Sequence, residues 1–77
     1  MTSEDYFNWA TEYRQEAEAV EHRIEAKKQQ YKSTRGNIEK MAIEKSLSAL
    51  YDQRIQCICT AKKLEERAKA IREKEGR

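Results

Sequence analysis

Hydrophobic residues recur along two segments of this chain at alternating steps of three and four. In the first segment the recurring positions are Tyr6, Ala10, Tyr13, Ala17, Val20, Ile24, Lys27 and Tyr31. In the second they are Ile43, Leu47, Leu50, Arg54, Cys57, Ala61, Leu64, Ala68 and Ile71. Residues at this spacing lie on one face of a helix and form the seam of a coiled coil. The pattern predicts two long amphipathic helices, with Lys27 and Arg54 as the charged seam positions.

A short polar stretch, YKSTRGNIEKM at residues 31–41, separates the two segments. Gly36 is expected to end the first helix in the left-handed conformation, which glycine adopts without a side-chain clash. Asn37 is expected to cap the second helix with its side-chain oxygen. The alternative is one continuous helix that tolerates a single glycine at a cost of about 1 kcal/mol.

Charge distribution favours the turn. Residues 1–26 carry seven acidic and two basic side chains, a net of −5, whereas residues 62–77 carry seven basic and four acidic ones, a net of +3. Folding the chain back at Gly36 brings these two regions together. We therefore predict one all-α domain over residues 1–77, an antiparallel, coiled-coil-like hairpin. Its first helix spans about 3–34, its loop about 35–37 and its second helix about 38–75.

A turn at residues 35–37 also predicts a register. Paired positions should sum to roughly 72, which brings Tyr13 to Ile58 and Ala10 to Ala61. Ala17 should face Arg54, whose guanidinium would reach Glu16 or Glu18. Because the second helix is the longer, it is expected to extend past the start of the first, leaving Ala68 and Ile71 in an overhang at the open end.

The apolar surface of the second helix is wider than one neighbouring helix would cover. Two helices alone also form a thin core. We therefore predict a homodimer in which two hairpins form a four-helix bundle. The residues predicted to form its contact are Leu47, Leu50, Tyr51, Arg54, Ile55 and Ile58.

The sequence indicates no catalytic chemistry. Cys57 and Cys59 project about 200° apart on a helix, and the one histidine, His22, lies off the seam without suitably spaced metal ligands. We expect a non-enzymatic protein with no cofactor and no metal. No signal peptide and no apolar run long enough for a membrane span are visible, and two cysteines suit a reducing compartment, so a cytoplasmic location without membrane association is expected.

With 39% charged residues, the chain has the composition of long exposed helices. We predict that it is a protein-protein interaction module, such as a small adaptor, regulator or inhibitor. Its layout resembles that of small accessory proteins of phages and mobile elements. Aromatic, apolar and basic residues near the open end are predicted to bind a partner protein: Phe7, Trp9, Leu64, Arg67, Ile71 and Arg72. The alternative is a small hairpin that binds RNA or DNA through its basic loop end, at Lys27, Lys28, Lys32, Arg35 and Lys40.

Overall fold

The computed structural model describes residues 2–76 and places nearly all of them in two helices. Helix α1 spans Ser3–Ser33 and helix α2 spans Asn37–Glu75. They run antiparallel in a rod of 62 × 14 × 14 Å, and the described residues contain no strand. The predicted all-α hairpin is confirmed, and the continuous helix is excluded.

Thr2 begins α1 with a reciprocal capping arrangement. The Asp5 amide donates to the Thr2 hydroxyl at 3.3 Å, and the Thr2 amide donates to the Asp5 carboxylate at 3.0 Å. Two amides that the helix leaves unpaired are thereby satisfied. The hydrogen bond from the Thr2 backbone holds the pKa of Asp5 below its usual value.

The turn between the helices corrects two predictions. Gly36 has φ −78° and ψ 135°, an extended conformation that any residue adopts, so the predicted left-handed conformation is wrong. Gly36 is the N-cap of α2 and offers no side-chain cap, while Asn37 is the first residue of the helix rather than its cap. Glycine at residue 36 leaves room for the Glu39 carboxylate, which occupies the position that a Cβ would take.

The predicted seam forms the core. Every seam position is buried or half-buried, and all the buried hydrophobic side chains belong to it. They are Ala10, Ala17, Val20, Ile24, Ile43, Cys57, Ala61 and Ala68. Four of these are alanines, which allow two helix backbones to approach closely but bury little area each. The hairpin therefore has a long and thin core.

The register differs from the predicted one by a heptad. Arg14, expected to face position 58, instead pairs with Glu65, seven residues further along α2. A slip of seven residues keeps every seam position on the seam, so the hydrophobic pattern cannot distinguish the two registers. In the observed register Arg54 lies 3.9 Å from Glu21 and lines one groove with Ala17 and Glu18.

The predicted overhang at the open end is also wrong. The backbone amide and hydroxyl of Ser3 both bond the carboxylate of Glu75, so the two helices end together there. Helix α2 has 39 residues against 31 in α1, which makes it longer by about 12 Å at 1.5 Å per residue. The extended residues 34–36 rise about 10 Å beyond the end of α1 at about 3.3 Å each, which accounts for most of this excess. The extra length of α2 therefore lies at the loop end, where Ile38 is 84% exposed.

Candidate functional site

The seam divides the hairpin surface into two sides. The ion-pair side carries Phe7 and Arg14 of α1 with Glu65 and Arg72 of α2. Phe7 and Trp9 are two residues apart on α1, so they project about 200° from each other. Trp9 therefore lies on the opposite surface, which we call the Trp9 side.

The ion-pair side is largely occupied by contacts within the hairpin. The Arg14 guanidinium donates two hydrogen bonds to the Glu65 carboxylate, both at 2.8 Å. These bonds hold the pKa of Glu65 below its usual value of 4.5 and raise the pKa of Arg14. One heptad towards the open end, the Arg72 guanidinium lies 4.7 Å from the ring centre of the half-buried Phe7. Two of the predicted partner-binding residues, Phe7 and Arg72, are thus engaged with each other.

The Trp9 side carries an aromatic ladder at the open end. The rings of Tyr6 and Trp9 stack with centroids 6.4 Å apart and planes inclined by 25°. The guanidinium of Arg67 lies 6.0 Å from the centroid of Tyr6. Trp9 remains 42% exposed, so the ladder ends in an aromatic surface open to solvent.

A groove on the outer surface of α2 shares Arg67 with this ladder. Its lining consists of Lys63, Glu66, Arg67, Ala70, Ile71 and Lys74. Three basic side chains thus surround an apolar floor, with one acidic residue among them. We call this feature, together with Tyr6 and Trp9, the open-end groove.

The open-end groove contains only part of the predicted partner-binding set. Arg67 and Ile71 line the groove, and Trp9 is linked to Arg67 through Tyr6. Phe7 and Arg72 lie on the ion-pair side, and Leu64 is half-buried in the seam. Sequence reasoning placed Lys74 in the basic rim of this surface but missed Tyr6, Lys63, Glu66 and Ala70 as members of the groove. The spacing of residues 63, 67, 70, 71 and 74, which repeats at three to four, was the available signal.

The six residues predicted to form a dimer contact also separate into groups. Leu47, Leu50 and Ile58 are half-buried. Arg54 approaches Glu21 within the hairpin. Tyr51 and Ile55, at 41% and 56% exposure, are the large apolar residues of this set that face solvent.

The basic residues of the loop end do not form one surface. Lys27 and Arg35 line a groove at the loop end together with Glu39. Lys40 lies 5.5 Å from the ring centre of Tyr31, and Lys28 lies 5.9 Å from that of Tyr51. The remaining member of the predicted set, Lys32, is exposed. Glu39 thus lies among these cations, and two of the lysines are held against aromatic rings.

The two cysteines differ in their exposure. Cys57 is buried in the seam, Cys59 is exposed, and both are free thiols. Within residues 2–76 no three His, Cys, Asp or Glu side chains lie close enough together to hold a metal ion. Over the same residues, neither helix carries an apolar stretch sufficient to cross a bilayer.

Comparison with known proteins adds no relative. No protein-family model, curated protein or solved structure matches this chain.

Proposed function

We propose that this protein is a non-enzymatic interaction module that binds an acidic, amphipathic helical segment of a partner protein in the open-end groove. The observation that supports this most strongly is the joining of the Tyr6–Trp9 stack to the basic groove through Arg67. Partly exposed tryptophan and arginine are the residue types that contribute most to protein-binding surfaces.

The chemistry of the groove specifies the partner. Ala70 and Ile71 form a floor that suits small or branched apolar side chains. Trp9 presents a flat apolar surface on the neighbouring helix α1, beside Glu12 and Glu16. Lys63, Arg67 and Lys74 favour carboxylates at the rim and would accelerate the approach of an acidic surface. A helix with one apolar stripe and acidic flanks satisfies both requirements, and helix-in-groove binding is a common mode of recognition.

The cytoplasm is the location we propose for this activity, because both Cys57 and Cys59 are free thiols and suit a reducing compartment. The same groove would serve an adaptor, a regulator or an inhibitor, because these roles differ in the activity of the bound partner.

Titration with a synthetic probe tests the proposal. The probe is a helical peptide with leucine on one stripe and glutamate elsewhere, and the reporter is Trp9, the one tryptophan of the chain. Binding should shift the Trp9 emission to shorter wavelength, because the exposed ring becomes covered. Arg67→Glu should weaken binding by about tenfold or more, as expected for a central arginine.

Lys62→Glu is the matched control, because it makes the same charge change on α2 outside the groove lining. It should change the affinity by no more than about twofold, as a charge outside the contact acts mainly through screened attraction. Equal losses in both variants, or no response of Trp9, would show that the groove is not a specific site.

A comparison of Arg67→Glu with a variant of the loop end tests nucleic-acid binding. A short RNA hairpin replaces the peptide, and Lys32→Glu combined with Arg35→Glu alters the loop end. If the RNA binds and this double variant, rather than Arg67→Glu, abolishes the binding, the loop end is the functional site and the open-end proposal is wrong.

A further inference from the structure

The hairpin has an apolar stripe along the outer surface of α2, distinct from both the seam and the open-end groove. Met41, Ser48 and Ile55 follow one another at intervals of seven and are all exposed, so they lie in one line along the helix. Ile38 and Tyr51 precede Met41 and Ile55 by three and four residues and border the same line. Four of the five large exposed hydrophobic residues therefore belong to this stripe, and the fifth, Trp9, lies on α1.

The protein also exposes more surface than a compact chain of its mass. Its accessible area is 6103 Å². A compact monomer of 9.1 kDa would expose about 4,900 Å², an excess of about 1,200 Å², by the usual scaling of surface with mass. A stable protein interface covers about 800 Å² on each partner. The excess is thus large enough for a second macromolecule of this size to cover.

We propose that the occupant of the stripe is a second copy of this chain, packed with its α2 antiparallel to the first and with the two-fold axis at Ser48. In this arrangement Met41 of each copy contacts Ile55 of the other, because both lie seven residues from Ser48. Ile38 comes level with Ile58 of the second copy. The small side chain at Ser48 stands at the crossing point, where two helices approach most closely.

Charge complementarity supports this axis independently of the apolar residues. Lys45 and Asp52 lie three residues before and four residues after Ser48, so an antiparallel pair brings Lys45 of each copy to within one residue of the level of Asp52 of the other. Both side chains are exposed, and neither has an ion-pair partner within residues 2–76. A parallel pair would instead place Lys45 against Lys45 and Asp52 against Asp52.

The resulting assembly differs from a bundle closed around one core. The stripe lies away from the seam, so the two α2 helices occupy the centre and each α1 lies outside. Four helices would form a flat layer, and the open-end groove would remain free in both copies. Loss of the dimer is therefore distinguishable from loss of peptide binding.

Charge exchange at Lys45 and Asp52 tests the axis. Sedimentation of the wild type at micromolar concentration should give twice the 9.1 kDa of the chain. Lys45→Asp and Asp52→Lys should each raise the dimer dissociation constant by about tenfold, because each puts like charges at two symmetric sites. The double exchange should restore wild-type dimerisation. Independent, additive losses in the double variant, or a monomeric wild type, would overturn the proposal.

Cysteine cross-linking locates the crossing point directly. In a Cys59→Ser background, Ser48→Cys should form a disulfide-linked dimer on mild oxidation, since the two thiols meet at the axis. Lys62→Cys, in the same line of α2 but fourteen residues away, should remain monomeric after the same treatment. Equal cross-linking at both positions would indicate a parallel pair and contradict the proposal.

Ile55→Lys provides a variant that should fold. Ile55 is 56% exposed in the hairpin, so its replacement leaves the seam intact. The variant should keep the helical circular dichroism of the wild type and sediment as a monomer. A folded Ile55→Lys variant that still forms the wild-type dimer would exclude the stripe as the contact.

Discussion

Ser3 and Glu75 are bonded to each other across the open end of the hairpin, although 72 positions separate them. The Ser3 hydroxyl donates to the carboxylate at 2.8 Å, and the Ser3 amide donates to its other oxygen at 3.1 Å. One carboxylate thus satisfies an otherwise unpaired amide in the first turn of α1 and holds the last turn of α2 beside it. This contact joins the start of α1 to the end of α2, and it depends on ionisation of the Glu75 carboxyl group.

The first prediction concerns the thermal stability of the hairpin at low pH. The hydrogen bonds from Ser3 hold the pKa of Glu75 below its usual value of 4.5. Stabilisation from this carboxylate is therefore complete above the usual value and is lost as the pH falls through the lowered one. Glu75→Gln should reduce the acid-induced fall in melting temperature between about pH 7 and about pH 2.

Glu73→Gln is the control for this effect, because Glu73 is exposed and makes no hydrogen bond or ion pair within the described residues. It should retain the full acid dependence. If Glu75→Gln and Glu73→Gln show the same dependence, the Ser3–Glu75 contact does not persist in solution.

The second prediction concerns register. Arg14→Glu and Glu65→Arg should each lower the melting temperature, since each sets like charges together where a two-bond ion pair stands. The double exchange should recover most of the loss, which a double-mutant cycle of thermal unfolding would measure. Purely additive effects would indicate the register one heptad away, in which Arg14 faces Ile58 and no charge pair exists.

The hydrophobic pattern was sufficient to predict the seam but not the register. The eight buried hydrophobic side chains, from Ala10 to Ala68, all occupy predicted seam positions because the period of three and four marks the inner face of each helix. The same period makes a slip of seven residues neutral for the seam. The observed register is distinguished from the predicted one by contacts beside the seam, such as Arg14–Glu65, and by the length of the loop between the helices.

The conformation of the loop was the second feature that the sequence could not predict. Glycine at residue 36 indicated a left-handed helix end, yet the chain continues in extended conformation from Thr34 to Gly36. This loop conformation places the extra length of α2 at the loop end rather than at the open end. It also closes the open end at Ser3 and Glu75. The predicted partner-binding set is divided between two sides of the hairpin for another reason, because Phe7 and Trp9 project about 200° from each other on α1.

The third prediction tests the backbone of Gly36. Because its φ is −78°, alanine can occupy the position once the flexible Glu39 side chain moves aside. Gly36→Ala should change the free energy of unfolding by less than about 0.5 kcal/mol, as lower flexibility of the unfolded chain offsets the displaced contact. A left-handed residue would instead cost about 1 kcal/mol or more on the same change. Urea denaturation of the two proteins distinguishes these results.

The fourth prediction concerns the charged seam residue Arg54, which is half-buried and lies 3.9 Å from Glu21. A charge in a seam contributes to specificity of packing more than to stability. Arg54→Leu should therefore keep or raise the melting temperature while allowing other assemblies, which sedimentation would detect. A large fall in melting temperature without any change of assembly would show that the arginine stabilises the hairpin.

The most direct measurement of the proposed function is the location of a bound acidic amphipathic peptide on the ¹⁵N-labelled protein by nuclear magnetic resonance. We predict that the largest chemical-shift changes occur at the Trp9 indole N–H and at the amides of Arg67, Ala70 and Ile71, with little change at Thr34 and Arg35. Changes concentrated at the loop end, or spread evenly over the basic residues, would contradict the assignment of the open-end groove as the functional site.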